Sequence, residues 1–161
     1  MWQKLIDTLD KLGEVYDSLT TLGERKHTVL VGVDMEGLSK ILDEEQLLTA
    51  KLQKLEKTRV ELLKDLSQSN KTVTESTQAK EFYRSAPSRA MEQKLIQLHD
   101  RLSKSVDRAL KLRDNNRVLA QCALDAVQSQ LNRLSGAAIE PTYSDKGAGL
   151  VSHQKKYDFK A

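Results

Sequence analysis

Leucine and other apolar residues return at alternating steps of three and four along most of this chain, and a stripe of that period stays on one side only of a helical backbone. The first stretch steps through Trp2, Leu5, Leu9, Leu12, Tyr16, Leu19, Gly23, Lys26 and Leu30. The seam weakens at Gly23 and Lys26, where Leu22, Val29 and Val33 stand ready to take over. A second stretch steps through Leu38, Ile41, Glu45, Leu48, Leu52, Leu55, Arg59, Leu62 and Leu66, with two charges set into a leucine seam. Glu45 and Arg59 lie about 21 Å apart at helical rise, so they cannot pair with each other and need other partners or water. The third stretch carries Met91, Leu95, Leu98, Leu102, Ser105, Ala109, Leu112, Asn116, Leu119, Ala123 and Ala126, with Val106, Leu110, Val127, Leu131 and Leu134 one position on. Asn116 falls in that seam, where a carboxamide fixes register at a cost in stability.

Breakers divide these stripes. Gly32 suits the left-handed position after a helix end, and Asp34 reads as the cap of the next helix. A connection this short makes the first two helices antiparallel neighbours. Periodicity is lost after Ser67, and Ala86-Pro87-Ser88 closes the gap with a breaker and a cap; a mobile loop with one or two helical turns near Gln78 to Tyr83 is expected there. Gly136 ends the last helix. With only two prolines, seven glycines and an aromatic fraction of 4%, the chain favours few, long helices over a sheet sandwich. The expected fold is all-α, with helices near 2–31, 35–67 and 88–135. They form an antiparallel hairpin packed with a long third helix in one domain, 1–135, followed by a flexible tail, 136–161, that has no period.

The helix lengths do not match. Thirty residues span about 45 Å, whereas the third stretch reaches about 70 Å. Part of its stripe must kink back, pair with a second copy or receive a partner. Charge points the same way for the remainder: residues 1–66 hold 10 basic and 13 acidic groups, a net −3, and residues 88–135 hold 9 and 5, a net +4. The third helix is thus suited to lie on the hairpin. The whole chain carries only +3 with the signs interspersed, which gives no field for a nucleic-acid partner.

No catalytic, cofactor or metal set is expected. Glu24 and His27 have the spacing of a di-iron ligand pair, but a second copy of that pair is missing. His99 and His153 have no companion ligands. Cys122, the single cysteine, has apolar neighbours and is expected in the core, which fits a reducing compartment. The first residues meet charge at Lys4 and Asp7, and the run Val29 to Val33 is far too short to span a bilayer, so neither a secretory signal nor membrane insertion is expected. The apolar floor Leu119, Ala123, Ala126, Val127, Leu131 and Leu134 is the candidate partner-binding surface. Tyr143, Tyr157 and Phe159 in the tail are further candidate anchors.

Several of these residues carry a resemblance. The first helix ends in Leu22, Glu24 and Lys26, and the turn runs from Gly32 to Asp34. The second helix spaces Leu38, Ile41, Leu48, Leu52, Leu55, Glu56, Arg59 and Leu62, the third contains Asn115-Asn116-Arg117, and the tail closes on Tyr157-Asp158-Phe159-Lys160-Ala161. Together they resemble the FlgN family of flagellar type III export chaperones, over residues 1–135 and more loosely over the tail. The resemblance implies a cytoplasmic chaperone that binds hook-associated (hook-filament junction) proteins, hides their terminal amphipathic helices, blocks premature assembly and delivers them to export gate components. A structural coiled-coil homo-oligomer or adaptor is the alternative reading of the same stripes.

Overall fold

The computed structural model describes residues 1–69, 78–141 and 150–154, with side chains described for 1–68 and 78–136. Among the described residues four helices occur in chain order: α1 Trp2–Val31, α2 Met35–Ser69, α3 Ala79–Tyr83 and α4 Arg89–Leu134. They match the three stripes to within two residues at each end, and α3 supplies the helical turn expected in the gap. Contacts divide the chain into two compact units, Met1–Arg117 and Val118–Ala161.

In the first unit α1 and α2 form the antiparallel hairpin, with Arg25 paired to Glu44 and Lys26 to Glu45 across it. The first part of α4 runs parallel to α1. Arg101 bridges Asp10 and Asp17, Ser105 donates to Asp17 at 2.7 Å, and Asn116 reaches Gly23. The basic helix therefore meets the acidic hairpin through specific pairs. The core gathers Leu5, Ile6, Leu9 and Leu12 of α1, Leu62 and Leu66 of α2, Phe82 and Tyr83 of α3, and Leu95 and Leu98 of α4. Thr8 and Thr20 are buried on α1, and each hydroxyl donates to the carbonyl four residues back, which keeps it satisfied.

Two details correct the sequence expectation. Gly32 keeps a right-handed conformation (φ −80°, ψ −4°), and the left-handed residue is Val33, at φ 54°. The amide of Asp34 donates to Val29 O at 2.9 Å and that of Val33 to Leu30 O at 3.3 Å, the paired bonds of a Schellman end. Because α1 keeps its geometry through Gly32, the left-handed position falls one residue later, on a β-branched side chain. Secondly, the segment before α4 was expected to be a mobile loop, yet Phe82 and Tyr83 are core residues. Trp2 and Phe82 pack at a 49° tilt with ring centroids 5.5 Å apart, and Tyr83 meets Phe82 edge-on at 6.3 Å. Apolar rings bury large areas whatever the length of the helix that carries them. The part of that expectation falling on 70–77 lies outside the described residues.

The caps follow the sequence. Asp34 Oδ1 accepts from the Gly37 amide at 2.9 Å, and Ser88 Oγ accepts from the Met91 amide at 3.3 Å. A Cβ at Gly37 would meet the Asp34 carboxylate, which would have to turn to admit it. Gly136, at φ 66°, terminates α4 in the left-handed conformation expected of it.

In the second unit α4 continues without a break from Val118 to Leu134. Beyond it β1 (Ala137–Pro141) and β2 (Leu150–Gln154) pair antiparallel, with Ile139 opposite Ser152. This ribbon adds backbone pairing to a segment in which the sequence shows no period. Two strands alone are at best marginally stable in water, so the fold class remains all-α.

Candidate functional site

Four irregularities that the sequence scatters over three helices meet in one layer of the first unit. Gly23 lets α4 approach closely: a Cβ there would lie 2.8 Å from Leu112 Cδ2. Asn116 Nδ2 donates to Gly23 O at 2.7 Å, whereas Asn116 Oδ1 is buried without a hydrogen-bond partner among the described residues. Beside them Lys26 Nζ and Glu45 Oε2 pair at 2.7 Å, with both side chains largely covered. A cavity of about 290 Å³ lies in this layer, lined by Tyr16, Leu19 and Leu52 as well as these polar groups. The seam charge Glu45 thus finds its partner on α1. Arg59, the other seam charge, pairs with Glu56 at 2.8 Å on its own helix. Burial, and then Glu56, push the Tyr16 phenol above its ordinary range, while Arg59 pulls it down. This layer fixes register, since the Asn116–Gly23 bond and the Lys26–Glu45 pair form together only in one alignment.

The candidate floor on α4 has a different character. Leu119 and Ala123 are half-buried, and Ala126 is exposed. Val127, Leu131 and Leu134 are 49%, 53% and 82% exposed. Leu124, at 61%, belongs to the same stripe and was missed, because heptad stepping through Ala123 and Ala126 draws attention one position away. Asp125 and Arg133 are the only charges between Val118 and Leu134. Contiguous apolar exposure of this kind marks interaction surfaces. Tyr143, Tyr157 and Phe159 lie outside the described residues.

Among the described residues the groups considered for chemistry stand apart, and the His153 side chain lies outside them. His27 and Glu24 are exposed on α1, and His99 stands beside the Tyr83 hydroxyl, its Nδ1 3.4 Å away. Cys122 is exposed, which corrects its expected place in the core: its apolar neighbours belong to a helix face that is itself open. Among the described residues no cluster of His, Cys, Asp and Glu could hold a metal ion, and no helix is long and apolar enough to cross a membrane.

A helical hairpin locked to a third helix by a polar layer, with an apolar stripe bare on that helix's last turns, defines an all-helical module. The family model described as FlgN protein matches residues 1–149. This chain belongs to the FlgN family, a family of flagellar type III export chaperones. No curated protein and no solved structure matches it.

Proposed function

We propose that this protein is a cytoplasmic export chaperone for hook-associated proteins and that it holds their terminal amphipathic helices on the last turns of α4. The observation that carries the reading is the exposed stripe of Leu124, Val127, Leu131 and Leu134 on a helix of a chaperone family. An amphipathic guest helix lays its apolar face into such a stripe at i, i+3, i+4 and i+7 spacing. Held there, the guest cannot pair with its own kind, which blocks premature assembly until the chaperone reaches the export gate. Leu119, Ala123 and Ala126 flank the stripe and complete the floor. Tyr143, Tyr157 and Phe159 are kept as anchors for the guest or for the gate.

Hydrogen exchange with and without the terminal segment of a hook-associated protein from the same cell tests this. Added segment should slow exchange in residues 118–134 and leave the first turns of α1 unchanged. Protection confined to the hairpin, with none in 118–134, would move the binding surface elsewhere.

A further inference from the structure

We infer that the cavity in the polar layer of the first unit is a binding site for a small, uncharged, flat apolar molecule with one N–H or O–H group, which donates to Asn116 Oδ1. The cavity lies wholly within Met1–Arg117, and nothing in the proposed client role requires it.

Size and wall chemistry define the occupant. The cavity holds about 290 Å³, near the lower end of the range for ligand pockets. A cavity of about 150 Å³ walled by Leu, Ile and Phe takes up benzene, so a bicyclic ring has room here. Most of the wall is apolar: Leu19 of α1, Leu52 of α2, Ala109 and Leu110 of α4, with Tyr16 beside them. The charged groups at its edge answer one another. Lys26 Nζ meets Glu45 Oε2 at 2.7 Å, and Arg113 gives two N–H bonds to Asp114 Oδ1. No net charge is left to attract an ion. The Thr49 hydroxyl donates to Glu45 O at 2.8 Å, so its proton is engaged as well.

Asn116 is different. It is only 3% exposed and gives an N–H to Gly23 O at 2.7 Å, while Oδ1 is buried with no partner among the described residues. A buried acceptor left unmet is costly, and a donor on the ligand removes that cost on binding. The unmet need is therefore for a donor, which excludes a ligand whose polar atoms only accept. Water is the poorer occupant, because it requires several polar partners and the leucine and alanine side of the cavity supplies none.

The test uses the full chain and two probes of nearly equal shape, indole and benzofuran, of which only indole has an N–H. Binding is followed by amide-resolved NMR titration, with the Gly23 amide and the Asn116 side-chain amide as reporters. Indole is expected to bind with a Kd of about 1 mM or tighter and to move both reporters, and benzofuran to bind at least about tenfold more weakly. In Asn116→Leu that preference should vanish. Ala109→Phe fills the cavity and should abolish binding of both probes. Failure of indole to bind the parent chain overturns the site, and so does indole binding that leaves both reporters unmoved. Equal affinity for the two probes overturns the donor requirement, and a preference that survives in a folded Asn116→Leu overturns the role of Asn116. Should that variant not fold, the comparison of the two probes in the parent chain decides the matter alone.

Discussion

Val33 is held at φ 54° by the two backbone bonds that close α1, a conformation that costs a side-chain-bearing residue about 1 kcal/mol or more. Val33→Gly should therefore raise the melting temperature by about 2–4 °C, read by thermal circular dichroism; an unchanged or lower value would mean that the valine side chain makes a compensating contact. Asn116 stores a second local cost, since Oδ1 is buried without a partner among the described residues. Its replacement by leucine should stabilise by about 1 kcal/mol while relaxing the alignment of α1 and α4. Asp17 gives the pH dependence. The Ser105 hydroxyl first, and Arg101 after it, hold this carboxyl below its ordinary 3.8. A group depressed in the folded state contributes stability above its unfolded value and loses it as pH falls through the folded one. The difference in melting temperature between the parent and Asp17→Asn should accordingly be largest near neutrality and shrink as pH falls below about 4. Asp17 is well exposed, which keeps the effect small.

At the scale of elements, the long helices were legible because a stripe repeated over many turns cannot be mistaken for anything else, and Asp34, Ser88 and Gly136 marked their ends. Short and pairwise features were not. α3 is five residues long and carries no period, so its aromatic pair Phe82 and Tyr83 gave no sign that it completes the core. Phe82→Ala should cost about 3 kcal/mol or more, measured by urea unfolding; a loss under about 1 kcal/mol would place Phe82 outside the cooperative core. Likewise Gly23, Lys26, Glu45 and Asn116 each showed as a defect in its own seam. Only packing reveals that they share one layer. The bare stripe was half legible: unequal helix lengths pointed to the last turns of α4, but which residues are exposed depends on the rotation of the helix, and that placed Leu124 on the surface and Cys122 with it.

On the scale of the whole molecule, the family is one of chaperones, and in the function proposed above stability and binding reside in different stretches of chain. The core of the first unit ends on α4 near Asn116, while the proposed floor begins at Leu119. Substitutions on the floor are expected to spare folding for that reason. The measurement that tests this most directly is titration calorimetry of a hook-associated protein's terminal segment into the parent chain and into the Leu131→Asp, Leu134→Asp variant, with thermal melts of both. Loss of at least about a hundredfold in affinity, about 2.7 kcal/mol, with an unchanged melt is the predicted result. A variant that stays folded and binds the segment as tightly as the parent would contradict the assignment of the client to α4.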